Sequence, residues 1–195
     1  MTLDFYNQYA KEYFFQTVKV DLSSNYEKFL PLIKKEGFIL DLGCGSGRDS
    51  YYFKQQGYHV TSVDGSKELA KQASLLLEQP VINQLFNEIN FKEAFDGVWA
   101  CASLLHISID EMPSILEKIR ASLKQDGIFY ISVKEGNGSI IEKNGRFFQY
   151  YSATQLQKII HECVGLEVET LWRNTELRNG DEEVIWLNVL GRKIK

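Results

Sequence analysis

The segment from Ile39 to Phe53, ILDLGCGSGRDSYYF, constrains the fold more than any other part of this chain. It places an apolar strand-like run before three alternating glycines, Gly43, Gly45 and Gly47, and a helical pattern directly after them. Glycine lets the backbone turn sharply and approach another molecule closely, at a cost in conformational entropy. A tight turn alone would need one glycine, so the spacing predicts that the loop holds a ligand near the helix N-terminus.

The rest of the chain alternates apolar strand-like runs with helical patterns, which is typical of an α/β fold with a mostly parallel sheet. Five runs are predicted strands: FILDLG, HVTSVD, VINQLF, FDGVWACASLL and IFYISV. Ser66 and Ser152 stand where they can cap the helices that follow them. The last two strand-like runs, LEVETLW and EEVIWLNVLG, have only a polar loop between them, so an antiparallel hairpin is expected at the sheet edge. The length suits a single domain over residues 1–195.

Composition and charge narrow the class of protein. The formal net charge is −4 and no Lys/Arg block is present, so an electrostatic footprint for nucleic acid is not visible. The three cysteines, Cys44, Cys101 and Cys163, lie far apart without a CxxC pair, which fits reduced thiols. The N-terminus mixes charged residues with aromatics, and no apolar run approaches membrane-spanning length. We therefore expect a cytoplasmic protein without membrane or nucleic-acid partners. The sequence makes no prediction about whether the chain is a monomer or an oligomer.

The spacing of the glycine loop distinguishes between classes of nucleotide ligand. The dinucleotide fingerprint GxGxxG would need a glycine where this chain has Arg48, and the Gly-Lys-Ser/Thr ending of a phosphate loop is absent. Carboxylates at Asp41 and Asp49 disfavour a phosphate beside the loop and favour a ligand that carries a positive group. Ser46 and Asp49 also have the Ser-x-x-Asp spacing of a capping box, which is expected to begin the helix.

Asp64 ends the second predicted strand, 23 residues after Asp41, and is followed by Gly65 and Ser66. A carboxylate at the carboxyl end of the strand beside the glycine loop is where both hydroxyls of a ribose can be held. The alternative is an ordinary turn or capping residue before Ser66. Together with the loop, this position indicates a nucleoside ligand.

Four segments in order, ILDLGCGSGRD, VTSVDGS, FDGVWACASLLHI and GIFYISV, together resemble the class I S-adenosylmethionine-dependent methyltransferases, in particular the small stand-alone bacterial type. The resemblance covers nearly the whole chain. It implies a Rossmann-like sheet of seven mostly parallel strands flanked by helices, with the last strand antiparallel. It also implies S-adenosylmethionine as cofactor, S-adenosylhomocysteine as product, and a glycine loop whose backbone lies against the methionine and ribose parts.

The resemblance implies roles for individual residues. Asp41 would hold the methionine amino group directly or through water, Asp64 the ribose hydroxyls, and Gly65 with Ser66 the adenine edge. Glu88 stands where the family usually has an Asp that contacts the adenine amino group. For Cys101, simple burial is the favoured interpretation. No metal is expected, and the implied cofactor residues are Asp41, Gly43, Cys44, Gly45, Gly47, Asp64, Gly65, Ser66, Glu88, Ile89, Cys101, Ala102, Tyr9 and Tyr13.

The N-terminal segment, within the predicted helical cap or lid of residues 1–36, carries an aromatic face. Tyr6, Tyr9, Tyr13 and Thr17 recur at helical spacing. One interpretation is an amphipathic helix packed on the core. The other, favoured by the resemblance, is a segment that closes over the cofactor, where tyrosine faces attract the sulfonium cation.

The methyl acceptor has few candidate partners in the sequence. His106, just past the fourth strand, is a candidate general base, and the alternative is a histidine that satisfies backbone groups and caps the next helix. The segment EKNGRFFQYYS, residues 142–152, either binds the acceptor or packs its aromatics on the sheet. The predicted acceptor residues are Arg146, Phe147, Phe148, Tyr150, Trp172 and Arg173.

Missing motifs argue against two classes of methyl acceptor in DNA. The fourth strand lacks a Pro-Pro-Tyr-like motif for exocyclic amino groups in DNA, and no Pro-Cys is present for attack on cytosine C5. No additional domain is visible for recognising a macromolecule. The leading hypothesis is a small-molecule acceptor, and the alternatives are a partner-dependent protein or RNA methyltransferase and a non-catalytic cofactor-binding module.

Overall fold

The computed structural model describes residues 2–178 and 182–195. Nine strands are present in these ranges. They are β1 (Phe38–Leu42), β2 (His59–Asp64), β3 (Ile82–Asn83), β4 (Phe95–Cys101), β5 (Leu123–Lys134), β6 (Ser139–Ile141), β7 (Phe147–Gln149), β8 (Leu166–Arg178) and β9 (Glu182–Lys193). Seven of them form one sheet in the order β3-β2-β1-β4-β5-β9-β8, and β6 pairs with β7 separately.

Seven α-helices connect or cover these strands within the described ranges. They are α1 (Thr2–Gln8), α2 (Ala10–Thr17), α3 (Ser23–Phe29), α4 (Arg48–Gln55), α5 (Lys67–Leu77), α6 (Met112–Ser122) and α7 (Ala153–Glu162). Short 3-10 turns cover Leu30–Leu32 and Leu104–His106. The longest helices have 11 residues, and no helix in the described ranges could cross a membrane.

The strand pairing confirms the fold expected from the sequence. Strands β1 to β5 pair in parallel, whereas β9 runs antiparallel to both of its neighbours, β5 and β8. The predicted C-terminal hairpin is therefore confirmed as a strand pair, although its connection, residues 179–181, lies outside the described residues. The third predicted strand, VINQLF, is reduced to the two residues of β3.

Alternating side chains of the central strands pack into a core on each face of the sheet. On one face, Val98 and Ala100 of β4 pack with helices α6 and α7. On the other face, Trp99 packs with Phe29 of α3 and Phe53 of α4. The indole of Trp99 stacks on the Tyr130 ring, with 3.8 Å between centroids. The strand ends near the glycine loop are thus held from both sides.

Side-chain caps at two helix starts agree with the sequence prediction, whereas the cap predicted for a third helix does not form. The side chains of Ser66 and Ser152 accept backbone N–H bonds at the starts of α5 and α7, as predicted. The capping box predicted for α4 is wrong, because Gly47, with φ +79°, occupies the N-cap position without a side-chain cap. The Asp49 carboxylate instead accepts hydrogen bonds from the Tyr26 hydroxyl and the Trp99 indole inside the core.

Candidate active site

A cavity of about 230 Å³ lies at the carboxyl ends of β1, β2 and β4, below helices α1 and α2. The strand ends contribute Gly43, Gly45, Asp64, Gly65, Ala102 and Ser103. The N-terminal helices contribute Thr2, Leu3, Tyr6 and Tyr13. The remaining wall consists of Leu69, Leu85, Phe86, Asn87, His106, Ile107, Glu111 and Ile115. In parallel α/β sheets, ligands bind at the carboxyl ends of the strands.

The glycine loop places two of its three glycines against the cavity. Gly45 has φ +54°, and a Cβ atom added there would approach the ring of Tyr13, across the cavity, to 3.5 Å. Gly47 also has a positive φ, but a Cβ there would meet Ala73 of α5 at 3.1 Å. Gly45 therefore has the left-handed backbone that favours glycine and lies close to the Tyr13 ring, whereas Gly47 allows α4 and α5 to pack closely.

Asp64 ties the glycine loop to the second strand. Its carboxylate accepts the N–H groups of Gly45 and Ser66, each at 2.8 Å, and the residue is 8% exposed. Burial raises the pKa of Asp64 to about 6, against the lowering effect of these two hydrogen bonds. Each carboxylate oxygen accepts one backbone N–H and retains a lone pair, so Asp64 can still accept bonds from two ligand hydroxyls.

The two other loop carboxylates lie below the cavity rather than in its lining. Asp41 is 1% exposed and accepts a hydrogen bond from Ser50 at 2.6 Å. Burial, and next the nearby charge of Asp49, raise the pKa of Asp41 to about 8. Burial acts to raise the pKa of Asp49 too, but the Arg48 guanidinium, 2.6 Å away, reverses this and lowers it. The positive group expected from a ligand beside Asp49 is therefore supplied by Arg48.

His106 lines the cavity and uses both ring nitrogens. Nε2 lies 2.7 Å from the Tyr6 hydroxyl and Nδ1 lies 2.8 Å from the carbonyl oxygen of Phe147. Burial lowers the pKa of His106 to about 4, despite the opposing effect of the Phe147 carbonyl. The imidazole is therefore neutral near pH 7. It satisfies a backbone group, but it does not cap α6, because Glu111 occupies that N-cap position.

The N-terminal aromatic face divides into cavity and surface residues. Tyr6 and Tyr13 line the cavity, with their ring centroids 5.0 Å apart. Tyr9 is 41% exposed and lies outside the cavity lining. The helical spacing thus identified the covering segment, but only two of its tyrosines face the site.

Several predicted cofactor residues lie outside the lining. Ser66 caps α5, and Cys101 lies beside Ser132 on the neighbouring strand. Glu88 is exposed and turns back to accept the N–H of Leu85, so the adjacent Asn87 lines the cavity instead. The predicted residues outside the lining are Asp41, Cys44, Gly47, Ser66, Glu88, Ile89, Cys101 and Tyr9.

The predicted acceptor segment, residues 142–152, lies outside the cavity lining. It contacts the N-terminal helix α1, which together with α2 we call the cover. The N–H of Phe147 donates to the Thr2 hydroxyl at 2.9 Å. The Arg146 guanidinium lies 4.6 Å from the Phe5 ring centroid and forms an ion pair with Glu142. Phe148 is buried beside the His106 ring, with 4.8 Å between centroids. The segment therefore holds α1 in place over the cavity.

The other predicted acceptor residues lie away from the cavity lining. The Tyr150 ring lies against Gly136, where an added Cβ would meet it at 3.1 Å. Trp172 packs near Tyr130 on the α3 face of the sheet. Arg173 makes two hydrogen bonds to the Glu135 carboxylate, at 2.6 and 2.7 Å.

Sequence reasoning missed one wall of the cavity. Leu85, Phe86 and Asn87 follow the two-residue strand β3, where no periodic pattern marks them. Glu111 and Ile115 come from the start of α6. The apolar face of α6 was a readable signal for burial, but nothing in it distinguishes Ile115 as a cavity residue from its neighbours in the core.

Comparison with known proteins also points to the segment that carries the glycine loop. Residues 40–131 match the family described as "Methyltransferase domain". An uncharacterized methyltransferase of Staphylococcus carnosus is 24% identical over 171 residues, which cover 79% of this chain and 83% of that protein. An uncharacterized methyltransferase of Alkaliphilus oremlandii is 26% identical over 100 residues, which cover 51% of this chain. The match spans only 46% of the length of the Alkaliphilus relative.

Two solved structures share the fold over the whole chain. One is the 1,6-didemethyltoxoflavin-N1-methyltransferase of Burkholderia thailandensis, with bound 1,6-didemethyltoxoflavin and S-adenosylhomocysteine (TM-score 0.74, 24% identity, covering 100% of this chain and 84% of that one). The other is the protein solved in complex with the Haloferax volcanii Trm112 methyltransferase activator (TM-score 0.81, 16% identity, covering 100% and 98%). At these identities the likeness shows the fold alone.

Proposed function

We propose that this chain is a class I S-adenosylmethionine-dependent methyltransferase, as its sequence resemblance implied, and that it methylates a small-molecule acceptor. The observation that carries the proposal is the covered cavity of about 230 Å³ at the ends of β1, β2 and β4. Tyr6 and Tyr13 of the N-terminal helices line the cavity together with the strand ends, so these helices cover part of the site. A covered, mostly apolar cavity suits a small molecule.

The residues in the lining fit S-adenosylmethionine. Asp64 has free lone pairs for the ribose hydroxyls, and Gly43 with Gly45 leaves backbone exposed beside it. The rings of Tyr6 and Tyr13 offer faces that suit a sulfonium cation. When bound, S-adenosylmethionine supplies an electrophilic methyl carbon, which an acceptor lone pair takes as the carbon–sulfur electrons pass to sulfur.

The chain's own contribution is orientation and exclusion of water. Apolar side chains in the lining, among them Phe86, Ile107 and Ile115, give the cavity an apolar wall that disfavours water. Holding two reactants in line accounts for about 7 kcal/mol or more of barrier lowering in well-oriented reactions. The neutral His106, with both nitrogens hydrogen-bonded, is a poor general base in this arrangement.

A second candidate function is methylation that depends on a protein partner. It is favoured by the likeness to the protein bound to the Haloferax volcanii activator, which extends over 100% of this chain. The two candidates differ in one measurable property. A partner-dependent enzyme would turn over only in the presence of a second protein that copurifies with it.

The test is release of S-adenosylhomocysteine from S-adenosylmethionine with separate pools of metabolites, nucleic acids and proteins. We expect release with the metabolite pool from the purified chain alone, and not from an Asp64→Ala variant. Release only with nucleic acid or protein, or only after addition of cell extract, would contradict a small-molecule acceptor. Calorimetry that shows no binding of S-adenosylhomocysteine would remove the methyltransferase proposal altogether.

A further inference from the structure

A continuous hydrogen-bonded chain joins the cover to the acceptor segment through His106. The Tyr6 hydroxyl lies 2.7 Å from Nε2, and Nδ1 lies 2.8 Å from the Phe147 carbonyl oxygen. The backbone N–H of Phe147 in turn donates to the Thr2 hydroxyl on the same helix as Tyr6. Tyr6 and His106 both line the cavity, so this hydrogen-bonded series reaches the space where a ligand would bind.

The direction of each hydrogen bond follows from the groups involved. A carbonyl oxygen only accepts, so Nδ1 of His106 must carry the proton that points to Phe147. The imidazole is neutral near pH 7, so Nε2 then has only a lone pair. The Tyr6 hydroxyl must therefore donate to Nε2. Its single proton is used in this bond, and its oxygen remains as a hydrogen-bond acceptor only.

We propose that Tyr6 selects the methyl acceptor by accepting a hydrogen bond from the O–H or N–H group at the reacting atom, and that His106 positions Tyr6 for this. The inference rests on the proposed function and names the substrate class for it. A hydroxyl or amine donates to the Tyr6 oxygen, whereas an ether or tertiary amine has no proton to donate and leaves only the Arg146 guanidinium beside that oxygen. The lost hydrogen bond is the basis of the expected preference.

The charged groups around the cavity restrict the class of methyl acceptor further. Among the described residues, the lining contains two carboxylates, Asp64 and Glu111, and no Lys or Arg. Around the hydroxyl and the imidazole, the charged groups are Arg146, Glu142, Lys134 and Asp64, so the two signs balance there. Anionic acceptors are therefore disfavoured in the cavity itself. The expected acceptor is a neutral or cationic small molecule with a hydroxyl or amine on an apolar body.

The same hydrogen bond explains how the product leaves. Methylation of a hydroxyl forms a carbon–oxygen bond and releases the hydroxyl hydrogen as a proton to solvent, so the product can no longer donate to Tyr6. The product then makes one hydrogen bond fewer than the acceptor at Tyr6, and its affinity falls relative to that of the acceptor. Tyr6 thus distinguishes an acceptor from its own methylated product.

The test compares binding of phenol with anisole, and of aniline with N,N-dimethylaniline, to the chain saturated with S-adenosylhomocysteine. We expect the hydroxyl and amine probes to bind about five- to tenfold more tightly than their methylated partners, as one hydrogen bond predicts. Tyr6→Phe should abolish this preference when the variant is also saturated with S-adenosylhomocysteine, so that a change in cofactor affinity does not enter the comparison. The matched control is Tyr9→Phe, which removes an exposed hydroxyl from the neighbouring turn and should leave the preference intact.

A second variant separates selection by Tyr6 from a general effect on packing. His106→Asn can keep a donor toward Phe147 but removes the acceptor for Tyr6, so the preference should fall although Tyr6 is present. Equal binding of each probe pair to the unmodified chain, absence of binding by all four probes, or an unchanged preference in Tyr6→Phe would overturn the proposal. These readouts need no turnover, so a chain that prefers phenol but releases no S-adenosylhomocysteine would refute the proposed function, whereas loss of the preference in a chain that does release it would refute only the role of Tyr6.

Discussion

The glycine loop and the N-terminal cover enclose the same cavity, but they are held by different kinds of contact. In the loop, Asp64 bonds to Ser66, two residues away, and to Gly45, 19 residues away. In the cover, Tyr6 bonds to His106 across 100 residues, and Thr2 bonds to Phe147 across 145. The loop is therefore specified by nearby sequence, whereas the cover depends on docking of distant elements.

Burial separates the two regions as well. The strands that carry the loop are fully buried at Leu42 and Val63. The cover contributes only Tyr6 and Ala10 to a small buried cluster with Leu69 of α5, while Phe15 is 66% exposed. Few buried apolar contacts and solvent-exposed helices are the features of a segment with low local stability. This difference in burial predicts that the glycine loop can hold a ligand whether the cover is open or closed, while the cover itself opens and closes.

The largest effect should come from removing the cover. Deletion of residues 1–21 leaves both core clusters of the sheet intact, because their members begin at Tyr26. We expect a folded chain whose turnover falls about a hundredfold or more, since water enters and orientation is lost. Steady-state kinetics and thermal unfolding would measure the two effects separately. Collapse of the fold would mean that the cover belongs to the core, and the contrast between the regions would disappear.

Removing the carboxylate of Asp64 should have the next largest effect. Asp64→Ala removes the proposed ribose contact and also leaves the N–H groups of Gly45 and Ser66 without this acceptor. We expect S-adenosylhomocysteine affinity to fall by about ten- to a hundredfold, equivalent to charged hydrogen bonds of about 1.5 to 3 kcal/mol. The free energy of unfolding should fall by about 1 kcal/mol or more for the lost backbone bonds. Isothermal calorimetry and chemical unfolding would measure them, and unchanged affinity would refute the ribose role.

The buried Asp41 should make stability depend on pH. Its pKa is raised to about 8 in the folded chain, while an unfolded Asp ionises near pH 4. Between pH 7 and 8 the folded state keeps most of this proton and the unfolded state has lost it, so rising pH favours unfolding. We expect the unfolding free energy to fall by about 1 kcal/mol per pH unit in this window.

The control for this pH dependence is Asp41→Asn, which cannot ionise but can still accept the Ser50 hydrogen bond. Its unfolding free energy should be nearly flat between pH 7 and 8, a window above the pKa of Asp64 in the folded chain and above that of His106 in the unfolded chain. Chemical unfolding of both chains at several pH values would show the slopes. Equal slopes in the two chains would mean that Asp41 ionises normally.

The same contrast explains how much of the molecule the sequence could predict. The strand–loop–helix unit, the caps at Ser66 and Ser152 and the C-terminal strand pair follow from patterns within a few residues. The capping box failed because Asp49 bonds to Trp99, 50 residues away, and local spacing cannot show such a competitor. Glu88 failed to line the cavity for a related reason. β3 is only two residues long, so no strand period determines which side chains of the following loop face inward.

The cover was predictable as a helix but not as a docked element. Helical spacing marked Tyr6 and Tyr13, yet nothing in it distinguished them from Tyr9. That distinction depends on where α1 meets Phe147 and α5. Asn7 makes the second of these contacts, because its side-chain oxygen accepts from the Ser66 hydroxyl at 2.8 Å and the Glu68 N–H at 3.2 Å.

The smallest effect should come from loosening the Asn7 contact. Asn7→Ala removes an acceptor for two donors at the start of α5, a change of about 1 kcal/mol. If the cover opens independently, amide hydrogen exchange in α1 and α2 should accelerate about fivefold, while exchange in β1, β4 and β5 stays unchanged. Gln8→Ala is the control, since Gln8 donates only at the surface, to the exposed Tyr9 hydroxyl, and should change neither region. Binding of S-adenosylhomocysteine should slow exchange in the cover of both chains, because a ligand that contacts Tyr6 and Tyr13 favours the closed state. Equal acceleration in the cover and the sheet would show that they unfold as one unit, and the cover could not then act as a lid.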